Sequence, residues 1–429
     1  MIKTESAAAS GKINLKEKAS PFALILIISL FFGWGFIHNL DPVLIPHLKQ
    51  AFRLTDLETA LVDFAVFIAY FLMAVPAGLF VSKFGYKNGI LLGLGLFAIG
   101  AFLFLPAADT AKYFYFLAAL FVIASGLTFL ETAANPYITI LGDPKNATWR
   151  LNLAQSFNGL AAFLAPILGG KFILSEQNKA PIQENPSMAQ LHQHLLAEAA
   201  KVKGPYLVIG ITLILIIILF LFTRLPEVKE PNHFAKANGF RRVLNSQRLR
   251  QAIIAQFFYV GAQVCILSFF IRFATSATNL STAQASWYAG CAGLAFMLGR
   301  FAGTFLMKFI QPAKLLIIYG LSCVCLCLLV ILFHGILTVY ALIAIAFFMS
   351  IMFPTIFSIG ISDLKTDTQL GSSLIVMSIV GGALLPLGLG YISDLTGNIH
   401  TAYFIPLICF AVVVLFGISQ KKNRKSRFS

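Results

Sequence analysis

The sequence predicts an all-α membrane protein: twelve transmembrane helices in two six-helix bundles. Three observations predict it. Hydrophobic residues fill 58% of the 429 positions and charged residues only 11%, where soluble domains run at about 45–50% and 25%. Apolar runs such as "FALILIISLFFGWGFI" and "YLVIGITLILIIILFLF" approach or reach the roughly 20 residues that span hydrocarbon. Finally, a long basic interruption, "RLPEVKEPNHFAKANGFRRVLNSQRLR", divides the apolar segments into two sets of six.

The spans fall near 22–48, 56–82, 88–108, 113–141, 151–175 and 204–223 in the first set. The second set runs 251–276, 283–307, 313–334, 337–362, 369–393 and 401–420. The organisation that follows is an N-terminal tail over 1–21, a bundle over 22–224, a basic linker over 225–250, a second bundle over 251–420 and a basic tail over 421–429. With the N-terminus inside, the inside segments hold 23 Lys and Arg and the outside ones 8, leaving Arg300 within a span. That is the positive-inside pattern, so both termini are expected in the cytoplasm. The first apolar run continues past any small-residue cleavage site and reads as a span, not a removable signal.

The net charge of +15 therefore belongs to loops beside lipid headgroups, which argues against nucleic acid as a partner. All six Cys fall inside predicted spans. The alternate spacing of "CVCLC" points Cys323, Cys325 and Cys327 around a helix instead of converging them on a metal. They read as small apolar residues, and the tail "KKNRKSRFS" reads as a solvated or lipid-facing anchor. A second polar interruption holds the helix-like "SMAQLHQHLLAEAAK", where His192 and His194 stand at i and i+2 and do not share a face. No nucleophile–base set or metal cluster appears, so an enzyme is not expected and no cofactor is implied.

The polar groups inside the spans are few. Asp41, Asp63 and Glu131 are the acids lying clearly within them, and Arg300 is the base. A charge at the centre of a bilayer costs roughly 2.5–3.5 kcal/mol on insertion scales, so such residues are rare unless they have a task. A dehydrated carboxylate is suited to taking up and releasing a proton, because desolvation penalises its charged form. Asn135 stands one turn after Glu131 on the same face. Asn152, Gln155 and Asn158 make one polar stripe in span five. Amides offer both donors and acceptors, which suits sugar hydroxyls; the competing reading is glue between helices at about 0.6 kcal/mol per contact. In span one Trp34, His38, Asn39 and Asp41 cluster near Pro42 and Pro46. Trp34 suits the C–H face of a sugar ring or an interfacial aromatic belt. Gln256 and Gln263, seven apart on one face, bring amides from the second half.

These residues carry a resemblance. "LETAANPYITILG", "RLNLAQSFNG", "FFGWGF…NL…LIPHLKQAF", "FYVGAQV" and "FPTIFSIGI…GSSLIVMSIVGGALLPL" resemble the fucose–glucose–galactose:proton symporter family of the major facilitator superfamily, from about Phe31 to Gly390. The resemblance implies the two-bundle facilitator fold, a proton-carrying Glu at Glu131, sugar contacts from Gln155 and Asn158, and Trp34 lining the cavity. Two departures stand out. The family pattern places Asn-Asp in the first helix, and aligned through "LIPHLK" the Asp position here is Pro42, while Asp41 takes the preceding Asn. A one-residue shift turns a side chain by about 100° on a helix. The facilitator signature after span two also expects an acidic residue and Arg, where this chain has Ser82 and Lys83; "GTFLMKFIQPAKLL" after span eight echoes that turn.

The expectation is a proton-coupled importer of a hexose-type sugar (fucose, glucose, galactose or a relative) working as a monomer in a bacterial inner membrane by alternating access. Glu131 and Asp41 would carry the proton. Trp34, His38, Asn39, Asn135, Gln155, Asn158, Gln256 and Gln263 would meet the sugar, and Arg300 would be an interhelical charge. Two rivals are sodium coupling through the hard oxygens of Asp41 and Asp63, and an amphiphile or drug exporter, against which the amide stripe counts.

Overall fold

The computed structural model describes residues 21–38, 56–110, 112–141, 143–173, 196, 202–226, 239–278, 280–364 and 367–425, and its regular elements are all helical. The first bundle comprises α1 (Pro21–His38), α2 (Asp56–Phe84), α3 (Tyr86–Thr110), α4 (Tyr113–Ile140), α5 (Ala147–Ile173) and α6 (Lys203–Phe222). A short α7 (Gly239–Leu244) precedes the second bundle. There follow α8 (Gln247–Ser268), α9 (Phe270–Ala277), α10 (Thr282–Leu306), α11 (Pro312–Leu332), α12 (Ile336–Met349) and α13 (Met352–Ile361). The chain closes with α14 (Thr368–Met377), α15 (Gly381–Thr396), α16 (Ile399–Ala402) and α17 (Phe404–Lys425).

Ten of these segments are long and apolar enough to cross a membrane. With α1 and α5 they make the twelve predicted spans. The outward faces carry Phe114, Phe222, Phe309 and many Leu and Ile in the open, which suits lipid as solvent and not water. The predicted helix-like stretch around His192 and His194 lies outside the described residues.

Three predicted spans prove discontinuous. Span seven turns at Phe269, span ten breaks between Met349 and Met352, and span eleven passes through a 3₁₀ turn at Ser378–Val380. Apolar composition runs unbroken through each, so hydropathy does not reveal them. Pro354 explains the second. It has no N–H to offer Ser350, its i−4 partner, and a helix opens where that bond is missing. Span seven also begins earlier than expected. Ser246 caps α8 by accepting from Leu249 N at 3.3 Å, so the helix takes in Arg248 and Arg250.

The linker's ends belong to opposite bundles. Tyr137 of α4 donates to Pro226 O at 2.9 Å. Arg242 of α7 forks onto both oxygens of Asp367 at 3.0 and 2.6 Å, the bidentate geometry that suits guanidinium and carboxylate.

Within the first bundle α4 packs on α3 and α2, α3 on α6, and α1 on α5; within the second α11 and α8 pack on α17, α10 on α12, and α8 on α15. Between bundles α2 meets α14, and α5 meets α10. The second span of each half thus lies on the fifth span of the other, the exchange expected of two related six-helix units. Glycine sets a tight seam between α3 and α4. A Cβ on Gly93 would lie 2.9 Å from Gly126 O, and one on Gly126 would lie 2.6 Å from Gly93 O and Phe97 N.

Because both neighbours there are backbone, Gly126→Ala is expected to destabilise the protein by about 1–3 kcal/mol through overpacking. Gly95→Ala, whose Cβ meets nothing within 4 Å, should be neutral or stabilising by up to ~1 kcal/mol. Unfolding midpoints in detergent check the pair.

Candidate functional site

Glu131 lies on the stretch of α4 that faces both α2 and the second bundle. Tyr70 of α2 donates its hydroxyl to Glu131 Oε1 at 2.8 Å. The other oxygen, Oε2, is sealed from solvent and has no protein partner among the described residues. One turn on, Asn135 is fully buried, and its Oδ1 accepts from Gln155 Nε2 of α5 at 3.1 Å, while its Nδ2 has no protein donor–acceptor pair. The carboxylate and the amide pair therefore present one acceptor and one donor that no other described residue uses.

The predicted stripe on α5 exists, but its three amides serve three neighbours. Asn152 reaches the second bundle, donating to Thr355 Oγ1 at 3.2 Å as well as to Thr148 O at 2.9 Å. Gln155 turns to α4. Asn158 lies against α1, where a Cβ on Gly35 would sit 2.6 Å from its Nδ2. Trp34 is buried beside it in sequence, its ring 4.2 Å from that of Phe31. The backbone of His38 ends α1 and that of Asp63 lies in α2, but both side chains are outside the described residues, as are Asn39 and Asp41 altogether.

Arg300 of α10 is buried, and no acid pairs with it among the described residues. Its charge is spread over carbonyls from both bundles. Nε donates to Ser350 O at 2.9 Å and Nη1 to Gln155 O at 2.8 Å, and the guanidinium lies 4.5 Å from the Phe296 ring centroid. Ser350 O is the carbonyl that Pro354 deprives of its helical donor, so Arg300 repairs the break. Gly159 of α5 lies beside it, where a Cβ would make an ordinary contact 3.4 Å from Arg300 Cδ. Pro136 does in α4 what Pro354 does in the second bundle: it frees Thr132 O, and Ser372 of α14 donates to that carbonyl at 3.2 Å.

Further hydroxyl contacts join the halves at the same end of the molecule. Thr148 bonds Ser358 at 2.9 Å, and Ser156 bonds Thr304 at 3.3 Å. All these groups lie toward the turns that join α4 to α5, α10 to α11 and α13 to α14. Gln256 of α8 is fully buried with both side-chain polar atoms lacking protein partners among the described residues, whereas Gln263 is partly exposed.

Sequence reasoning missed Tyr70, Thr355 and Ser372. The prolines were signals for Thr132 and Ser350, because a mid-span proline always strands the carbonyl four residues earlier. Nothing marked Tyr70 within its apolar run. Among the described residues no group of three His, Cys, Asp or Glu could hold a metal. Cys323 and Cys327 are buried, Cys325 is exposed, and all are free thiols. A hollow of only about 10 Å³ near Ile37, Val66 and Leu127 is lined by apolar groups and Tyr206, and takes in none of the amides or the carboxylate.

Comparison with known proteins gives consistent matches. The Major Facilitator Superfamily model matches residues 23–369. The L-fucose-proton symporter of Escherichia coli (strain K12) is 40% identical over 423 residues, covering 97% of each chain. A glucose/galactose transporter of Brucella abortus biovar 1 (strain 9-941) is 38% identical over 409 residues, covering 95% of this chain and 96% of its own. A crystal structure of the facilitator transporter FucP in the outward conformation superposes with a TM-score of 0.86 at 39% identity, covering 92% of this chain and 98% of the other.

A double-mutant cycle tests the contact between halves. Asn152→Ala and Thr355→Val should couple by about 0.6 kcal/mol, and by no more than ~1.7, as polar contacts in lipid do. Unfolding free energies of the two single variants and the double variant read the term, and strict additivity would show that the contact contributes nothing.

Proposed function

The chain belongs to the major facilitator superfamily, and we propose that it is a secondary active transporter that imports a hexose-type sugar with a coupled proton by alternating access. The observation that carries this reading is Glu131. It is an acid embedded between bundles, with one oxygen held by Tyr70 and the other unengaged, one turn from a buried amide pair. Near full-length likeness to an L-fucose-proton symporter and to a glucose/galactose transporter supports the substrate class and the ion.

In the proposed cycle Glu131 takes a proton from outside, and sugar hydroxyls meet the amides of Asn135, Gln155, Asn158 and Gln256. Neutralising an embedded carboxylate lowers the cost of moving it through a dehydrated intermediate. The bundles then rock, and both proton and sugar face the cytoplasm. With both termini placed in the cytoplasm by the charge pattern of the loops, the hydroxyl contacts at Thr148, Ser156 and Thr132 lie on the cytoplasmic side. The described state is then one closed to the cytoplasm. A single chain supplies both halves of the site, so the monomer is the working unit.

Glu131→Gln in proteoliposomes should abolish sugar accumulation driven by an imposed pH gradient, while exchange of labelled for unlabelled sugar continues. Unchanged accumulation would overturn the carrier role. Replacing Na⁺ with K⁺ or choline should leave uptake as it was; dependence on Na⁺ would favour coupling through Asp41 and Asp63 instead.

A further inference from the structure

We propose that Tyr70 is the positioning residue of the proton step: by holding Glu131 Oε1 it makes Oε2 the oxygen that gains and loses the proton. This rests on the carrier role of Glu131. Tyr70 is 3% exposed and its hydroxyl donates to Oε1 at 2.8 Å, while Oε2 is sealed from solvent with no protein partner among the described residues. A carboxylate accepts at both oxygens, and the neutral acid accepts at its carbonyl oxygen and donates from its hydroxyl. A phenol O–H can therefore serve Oε1 in both states without turning round, provided the proton sits on Oε2. A lysine or arginine in the same place would hold the carboxylate as a permanent ion and block its neutralisation. Tyrosine keeps the bond and leaves the charge free to come and go.

The groups around Glu131 leave this assignment clear. Of the helices packed on α4, α3 brings Tyr86 against Tyr137, two turns away, with ring centroids 5.2 Å apart. The α5 helix brings Arg150 to the carbonyls of Ile138 and Thr139 at 3.2 and 2.6 Å. The α14 helix brings Ser372 to Thr132 O, and α13 carries no titratable side chain. On α2, Asp63 lies about two turns from Tyr70 with its side chain outside the described residues, as is that of His38 on α1. Tyr70 also stands where the opposite bundle touches α2. One turn earlier, Phe67 lies 2.7 Å from where a Cβ on Gly382 would be, with Val260 of α8 at 3.1 Å from the same point. The residue that orients the carrier thus rides on the helix that feels whether the bundles are together.

Tyr70→Phe keeps the ring and removes the donor. In proteoliposomes its exchange of labelled sugar, which needs no net proton transfer, should stay near wild type. The ratio of gradient-driven accumulation to exchange should fall about tenfold, the size of one hydrogen bond to a charged group. The midpoint of uptake against external pH should move, whereas a packing defect lowers the curve without moving it. In a Glu131→Gln background Tyr70→Phe should change the ratio no further. Infrared difference spectra read the same bond in the unsubstituted protein: the acid carbonyl band that Glu131→Gln removes should absorb at a hydrogen-bonded frequency. Equal losses in exchange and accumulation with a fixed midpoint, no change in either, or a free-acid carbonyl band would overturn the positioning role. Failure of the carrier reading itself would show separately, as undiminished accumulation in Glu131→Gln alone.

Discussion

A backbone carbonyl stranded in a dehydrated interior must find a donor inside the protein, and the rest of this molecule is arranged around two such carbonyls. Pro136 and Pro354 each interrupt the helical ladder within a span, stranding Thr132 O and Ser350 O where water is scarce. Ser372 answers the first from the opposite bundle. Arg300 answers the second from its own bundle and, with a second N–H, takes hold of Gln155 O on the other side. The bonds that mend the helices therefore also draw the bundles together. Separation at that end takes Ser372 from Thr132 O and Arg300 from Gln155 O while leaving the Arg300–Ser350 bond in place, which ties the repair of the first helix to the global change of shape.

Two embedded charges among the described residues, Arg300 and Glu131, are managed in opposite ways. Arg300 is solvated by fixed carbonyl dipoles and an aromatic face, so its charge is permanent and its place structural. Among the described residues Glu131 has a single neutral donor and one unengaged oxygen, so no fixed countercharge holds it ionised. The structure shows no ion pair between them. A buried pair holds its members strongly, and removing either partner leaves a charge that costs several kcal/mol. Kept apart, the acid can be neutralised without stranding the base.

Most of the architecture was legible because the bilayer imposes it. Apolar length identified the spans, and the amides of α5 stood out against an apolar ground. Helix breaks were not legible, since "FFMSIMFPTIFS" stays apolar through a change in backbone that only Pro354 betrays. The stripe of Asn152, Gln155 and Asn158 was seen, but not its division among three neighbours, because periodicity gives a face and cannot say which helix lies opposite. Tyr70 was invisible for a different reason: a tyrosine in an apolar helix has many roles, and its partner is 61 positions away.

The linker's anchors set a mechanical limit. Its beginning is fastened to the first bundle through Tyr137 and Pro226, and its end to the second through the fork of Arg242 on Asp367. Between Pro226 and Gly239 lie the twelve residues 227–238, a length that spans no more than ~47 Å at full stretch. Whatever path it takes, that length caps how far the two anchors can drift apart as the bundles change their tilt.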